Sequence, residues 1–364
     1  MTTYYSKKPS IVRLPPRSGF EILLSRSAQV AVIVVGVITS IFALHAGRFI
    51  LAPVALAVVV GLMLGPIATL LEKRWRLPSW ISSAVVFLIF IFIVCLLTAA
   101  LIGPLTFWAG ELPGIWEQLR AQLAELRGPM NTLRGLQEQL KSFTGESGLA
   151  VSVENGSVLQ SLALMAPGFF AQLLLFMASL YFFVATRNDI RVAILKLCMT
   201  RRLRWRAAHI FRDVEMMVSR YLLSISVINV GLGVAVGLAM WAAGVPSAAL
   251  WGLLAGLLNL VVYIGPAIMA AILFGVGLAS FDSLAGSLMP MLIYLSLNLI
   301  EAQFVTPMVI GRTMTLNPFV VLLALGFWIW IWGPIGGFIA IPALLIIYAI
   351  SRNILPGAAI PELP

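Results

Sequence analysis

Apolar residues in this chain come in runs, and the runs fall into two lengths. Six runs cover 20 to 26 residues each: 27–46, 49–71, 79–104, 161–185, 221–243 and 284–305. About 20 helical residues cross the hydrocarbon core of a bilayer, so each run predicts one transmembrane helix. Two runs are longer, 33 residues at 248–280 and 35 at 316–350. A straight helix of that length would reach about 50 Å at 1.5 Å per residue. That is too long for one crossing and too short for two crossings with a turn. Each long run is broken near its middle by Gly-Pro, at Gly265-Pro266 and Gly333-Pro334. Such a break suits a bent helix or a hairpin of two half-helices. Interrupted apolar segments in corresponding positions of two halves point to a transporter's substrate site. The pattern predicts an all-α, polytopic integral membrane protein with about eight membrane segments. The two broken ones read as re-entrant, with a single kinked crossing as the alternative.

The polar stretches divide the chain further. Residues 1–26 carry Lys7, Lys8, Arg13, Arg17 and Arg26 against Glu21, with three prolines, and read as an irregular cytoplasmic tail. Residues 27–104 hold three scaffold spans, the first two joined by a tight turn around His45, Gly47 and Arg48. Residues 105–160 hold six acidic and four basic residues. There Trp116, Leu119, Leu123, Leu126, Met130 and Leu133 recur at steps of 3 and 4, a helical apolar stripe that Gly128-Pro129 should bend. It suits a helix lying on the membrane or on the protein itself, or a contact between subunits. Residues 161–220 combine a fourth span with a loop, 186–220, of nine basic and three acidic residues, densest at Arg201, Arg202, Arg204 and Arg206. Residues 221–350 form the transport region, and 351–364 a second cytoplasmic tail.

Composition strengthens the membrane reading. Hydrophobic residues make up 61% of the chain and charged residues 10%, with a mean hydropathy of +1.02. A soluble domain carries about 25% charged residues. The net charge of +10 does not indicate nucleic-acid binding, because the basic residues sit in short segments beside apolar spans, where topology uses them. The polar, basic first 26 residues run into one apolar stretch and directly into another, which reads as an anchor rather than a cleavable signal. Cys95 and Cys198 have neither a partner nor metal spacing.

The positive-inside rule puts the N-terminus, 72–78 and 186–220 in the cytoplasm and the acidic 105–160 region outside. Span 221–243 then leaves the cytoplasm. If each broken segment crosses once, Asp282 faces the cytoplasm and Arg312 the outside. If each is re-entrant, the two are reversed, which fits the rule better. Both alternatives return the C-terminus to the cytoplasm. The re-entrant case makes 221–280 and 284–350 two span-plus-hairpin units of opposite polarity, an inverted repeat. Asn229 and Asn298 lie 69 positions apart and the Gly-Pro pairs 68 apart, as such a repeat would leave them.

Four passages carry a resemblance: LAPVALAVVVGLMLGPIATLLEKRWRLPSW (51–80), GLLNLVVYIGP (256–266), EAQFVTPMVIGRTMTLNPFVVLLAL (301–325) and WGPIGGFIAIP (332–342). In this order, the chain from about 49 to 350 resembles the autoinducer-2 exporter family of bacterial membrane proteins. Val262 stands where that family usually has proline, and Met308 where it often has a basic residue. The resemblance implies about eight segments with both termini cytoplasmic in the bacterial inner membrane. It implies a homo-oligomer, with a pentamer as one size, and export of small polar solutes such as the autoinducer-2 signal. Some relatives resemble sodium–proton antiporters.

From 221 to 351 the only charged side chains are Asp282, Glu301 and Arg312. An acidic residue at the centre of a membrane helix costs roughly 2.5–3.5 kcal/mol and usually faces a cavity or partner. Asn298 precedes Glu301 by three residues and shares its helical face. Gln303, Thr306, Pro307, Gly311 and Arg312 follow closely. Together they read as a polar cavity wall, or as an interfacial Glu301 paired with Arg312. Asn259 and Tyr263 are expected on one helical face just before Gly265-Pro266, where a broken helix frees backbone groups for a hydroxylated solute or an ion. Gly333, Pro334, Gly336 and Gly337 would form the corresponding tip, approached by Trp328, Trp330 and Trp332. Ser224, Ser226 and Asn229 line span 221–243, where such residues commonly pack helices. His45 and His209 lack metal spacing. No phosphate loop, nucleophile elbow or zinc motif is present, which argues against an ATP-driven pump, most enzymes and any cofactor.

The leading reading is a secondary transporter that exports a small polar solute. The second is a cation–proton antiporter with Glu301 as the titrating carboxylate. A non-transporting membrane scaffold, docking through 105–160 and 186–220, would leave the two broken segments without a purpose.

Overall fold

The computed structural model describes residues 19–126, 155–281, 283–310 and 317–354. Every regular element among them is helical. Two compact units divide at Arg48/Phe49. The first contributes one apolar helix, α1 (Gly19–Ala46), whose membrane-length stretch from Leu23 has no buried side chain. The second unit contains the remaining architecture.

In that unit α2 (Arg48–Trp75), α3 (Ser79–Leu126) and α4 (Asn155–Leu197) share one core, made by Ala57, Val60, Leu64 and Ala68 of α2 with Val86, Phe176, Leu180 and Val184. Small residues let the helices approach. Gly61 lies directly under the Phe183 ring, and the buried Ser82 hydroxyl donates to the Ala68 carbonyl at 2.7 Å. At one end of this group Arg187 Nη1 donates to the Gly65 carbonyl at 2.8 Å, and Nη2 donates to Thr69 Oγ1 at 2.8 Å and Glu72 Oε1 at 3.2 Å. The Arg187 side chain is only 10% exposed. Its charge is tolerated because each of these oxygens replaces lost hydration.

The predicted basic loop 186–220 is helical instead. α4 runs on to Leu197, and α5 (Arg201–Ala242) begins after three intervening residues, 198–200, capped by the Thr200 hydroxyl, which accepts from the Leu203 amide at 3.2 Å. No Gly or Pro interrupts 186–220, so positive charge alone does not unwind it. Likewise α3 continues past residue 104 and carries Trp116 to Leu126 of the predicted stripe. Gly128-Pro129, Met130 and Leu133 lie outside the described residues.

Each long apolar run is two helices, as the Gly-Pro pairs predict. The first is α6 (Ala248–Leu258) and α7 (Ile264–Ser280). Then α8 (Leu284–Ile300) passes through a π-helical turn, Glu301–Val305, into α9 (Thr306–Ile310). The second long run is α10 (Pro318–Trp332) and α11 (Pro334–Ile354). Its arms are unequal: α11, at 21 residues, is long enough to cross a membrane by itself, and α10, at 15, is not. Seven helices in all reach that length and apolarity among the described residues. The chain is therefore a multi-pass membrane protein.

Packing fixes the direction of both hairpins. α6 runs back along α5, and α7 packs antiparallel on α8, with Gly277 against the Ser287 carbonyl. Ala239 near the end of α5 shares a shallow depression with Ala285, Met289 and Ile293 near the start of α8. α6 therefore enters from the end of the bundle at which α5 finishes, and α7 returns to that end. In the second hairpin Val321 and Leu325 pack with Ala340, Ile341 and Leu344, as antiparallel arms folded at Gly333 require. α11 ends beside the early part of α5, where Asn353 Nδ2 donates to Asp213 Oδ2 at 3.0 Å and Arg352 stands 3.5 Å from the same oxygen. The two hairpins thus open at opposite ends of the bundle. They meet inside it: Val262 joins the second hairpin's core, and Val261 fills the space a side chain on Gly337 would need.

Candidate functional site

The site begins with glycines. α5 carries Gly233 and Gly237, and α6 carries Gly252 and Gly256, a small-x-x-x-small pair on each helix. A Cβ on Gly233 would stand 2.8 Å from the Gly252 carbonyl oxygen, and one on Gly256 would stand 2.7 Å from the Asn229 carbonyl oxygen. The backbones touch, so no side chain fits between them. Within lipid there is little hydrophobic drive between helices, and close van der Waals contact of this kind supplies the association.

That contact sets the register of two buried amides. Asn229 lies one turn before Gly233, and Asn259 caps α6 just after Gly256. Asn259 Nδ2 donates to Asn229 Oδ1 at 2.9 Å, and Asn298 Nδ2 of α8 donates to Asn259 Oδ1 at 3.1 Å. Asn229 and Asn259 are 4% and 7% exposed, and Asn298 is half-buried. Three elements therefore meet through one chain of amides at the break in the first hairpin. The Asn229 Nδ2 donors at the end of that chain have no partner among the described residues, and neither does the Tyr294 hydroxyl one turn before Asn298.

Glu301 lies one turn past Asn298 and is 8% exposed. The helix widens there because Thr306-Pro307 follows. Proline has no amide, and its ring crowds the carbonyl four residues back. The π turn relieves that crowding, with the Thr306 amide bonded to the Glu301 carbonyl five residues earlier. Thr306 Oγ1 donates to Glu301 Oε1. No ion-pair partner of Glu301 stands among the described residues. Its carboxylate is within electrostatic reach of Tyr221 on α5 and Tyr294 on α8. π turns of this kind recur at functional positions.

Other predicted residues are placed differently. Asn259 and Tyr263 do not share a helical face. α6 ends at Leu258, the chain turns through 259–263, and Tyr263 adopts φ 64° with its ring half exposed. It borders Pro318, Phe319 and Leu322 of the second hairpin. Gly265 is buried, and any side chain there would strike the Leu258 carbonyl. Pro266 sits in the first turn of α7, where a missing amide costs nothing. Gly333 adopts φ 62°, and Pro334 starts α11. Gly336 is pressed on the Trp328 carbonyl. Gln303 and Pro307 are exposed. The Trp328 and Trp332 rings meet in a tilted contact, 53° between planes and 4.9 Å between centroids, and Trp330 is exposed. Ser226 donates to its own helix at Leu222, a packing arrangement. Asp282, Gly311 and Arg312 lie outside the described residues. The reading missed the paired glycines, although their spacing is visible in GVAVG and GLLAG, and it missed Tyr221 and Tyr294, which no local pattern marks.

Two opposed hairpins meeting beside a buried amide chain and a membrane carboxylate define a membrane transporter. Residues 30–355 match the AI-2E family transporter profile, and the chain belongs to that family. It is 27% identical over 308 residues to the AI-2 transport protein TqsA of Escherichia coli (strain K12), covering 82% of this chain and 84% of that one. It is 24% identical over 335 residues to the putative transport protein YhhT of the same organism, covering 90% and 89%. It is also 29% identical over 146 residues to the putative transport protein YrrI of Bacillus subtilis (strain 168), 40% of each chain.

Proposed function

We propose that this protein is a secondary transporter that exports a small polar solute, of the autoinducer-2 kind, across the bacterial inner membrane. The observation that carries the reading is the Asn229–Asn259–Asn298 chain. It places hydrogen-bonding side chains from a span, a hairpin tip and a second span at one buried level. A solute that exchanges hydrogen bonds with these amides would be passed as the tips of the two hairpins part. Gly265, Pro266, Gly333, Pro334 and Gly336 would keep those tips narrow. The basic ends of α4 and α5 suit a cytoplasmic face, which leaves both termini inside. The long, exposed apolar faces of α3 and α4 suit a homo-oligomer. A second reading is a cation–proton antiporter, favoured by Glu301, a buried carboxylate whose hydrogen bond comes from a neutral hydroxyl.

The test is flux of labelled autoinducer-2 signal in sealed vesicles, with and without an imposed proton gradient. Signal efflux above that of empty vesicles supports export. Sodium-driven proton movement without signal flux would replace export with the antiport reading.

A further inference from the structure

Membrane-protein interiors rarely leave buried donors unpaired, because no water is at hand to satisfy them. Two such donors lie around the amide chain. Asn229 Nδ2 is one, on a residue 4% exposed. The other is the hydroxyl of Tyr294, a residue with no exposed surface. Tyr294 shares a face of α8 with Asn298, and it belongs to a larger apolar core that includes Leu232 and Val236 of α5 and Ala255 of α6. Those three residues flank Asn229 and Asn259 within two helical turns. Both donors therefore lie in the buried layer where a span, a hairpin arm and the facing span meet, one on either side of the Asn259–Asn298 bond. An aliphatic or Phe side chain would fill the Tyr294 position without an orphaned hydroxyl.

We propose that the Tyr294 hydroxyl and the Asn229 amide, both buried without a partner among the described residues, are solute-binding donors that receive the oxygen of an uncharged solute. This rests on the export reading. Glu301, one turn past Asn298 and without an ion pair among the described residues, would accept from solute hydroxyls and repel carboxylates. Among the described residues of 221–350 no cationic side chain offsets it. The site accordingly takes hydroxyl or carbonyl oxygens and rejects acids.

Tyr294→Phe removes one hydroxyl and keeps the ring. In vesicles holding the full chain, signal flux should fall about tenfold, the factor that one lost hydrogen bond of ordinary strength produces. The unfolding midpoint should hold or rise, because a buried unpaired group has gone. Unlabelled erythritol should compete with signal in the wild type more strongly than erythronate, which differs by a carboxylate. Wild-type flux in Tyr294→Phe, or equal competition by the two solutes, overturns the proposal. If the wild type moves no signal, the export reading falls by itself. Protection from thermal unfolding by millimolar erythritol is then compared in the two proteins. Weaker protection of Tyr294→Phe supports the donor role, and equal protection overturns it.

Discussion

The two hairpins are built on the same sequence device and differ in what they carry. Aligned at their Gly-Pro pairs, Asn259 of the first falls opposite Phe327 of the second. The first hairpin breaks over five residues, 259–263, and its entering helix ends on a buried amide bonded to two others. The second breaks at a single residue, Gly333, and its shorter arm carries the tilted Trp328–Trp332 ring contact. A wide break leaves backbone and side-chain polar groups at the tip, whereas a one-residue break preserves the helices and leaves an apolar arm. The two tips therefore differ in chemical character. The first hairpin presents hydrogen-bonding groups, and the second closes against it through Val261 and Val262.

The largest expected effect is all-or-none. If the hairpins open to opposite faces of the membrane, single cysteines at positions 282 and 312 should react with an impermeant thiol reagent from opposite sides, 282 from outside. The reverse pattern, 282 from inside and 312 from outside, would mean that each broken segment crosses once and would end the comparison, as would labelling of both from one side.

Next comes the asymmetry itself. Asn259→Leu leaves the Asn229 oxygen and the Asn298 amide unpaired, at about 1–3 kcal/mol for each buried group. Flux should fall about a hundredfold, with a clear loss of thermal stability. Phe327→Leu exchanges one apolar side chain for another at the matching position and should change flux less than about twofold, with less than about 1.5 kcal/mol of stability at stake. Similar losses from both substitutions would show the hairpins to be equivalent.

A third effect is smaller and separates coupling from shape. Glu301→Gln keeps the acceptor for Thr306 and removes the charge. Flux should fall about tenfold while oligomer size and insertion stay normal, and the response to a proton gradient should vanish. An unchanged gradient response would reduce Glu301 to a shaping residue of the π turn.

Much of this arrangement was legible in the chain. Gly-Pro marks a break because proline removes a donor and glycine admits a positive φ, and the second break lies at Gly333 as those rules place it. The first comes earlier, at 259–263, with Tyr263 rather than Gly265 taking the positive φ and Gly265-Pro266 inside the first turn of α7. The spacing of Asn229 and Asn298 from each other matched that of the breaks, and both side chains reach Asn259. The parts that were not legible depend on partners. Basic residues at 186–220 suggested a loop, yet nothing in their backbone preference forbids helix, and α4 and α5 continue through them. The unequal arms of the second hairpin had a local signal, Asn317-Pro318. Asn317 Oδ1 accepts from the Phe319 amide at 2.9 Å and starts α10 there, but a hydropathy run does not reveal a cap. The burial of Tyr294 against α5 and α6 is a tertiary fact with no periodic trace.

The smallest effect concerns how each tip tolerates a methyl group. Gly333 has φ 62° and ψ −142°, a region almost closed to residues with a Cβ, and open space around an added Cβ, so alanine there meets only backbone strain, about 1–3 kcal/mol. Gly265 has an ordinary φ, but its added Cβ would strike the Leu258 carbonyl, so the turn must open. Gly333→Ala should therefore lower the unfolding midpoint by a few degrees and slow flux modestly, since a strained apex still folds. Gly265→Ala should cost more stability, and flux should fall further than the lost folded fraction explains, because opening the 259–263 turn moves Asn259 away from Asn229. Thermal unfolding in detergent and flux in vesicles, measured on the same preparations, give both quantities. If flux tracks stability in both variants, the turns are only kinks. If the gap appears at Gly265 alone, the wide polar break is the working tip and the narrow one its lid.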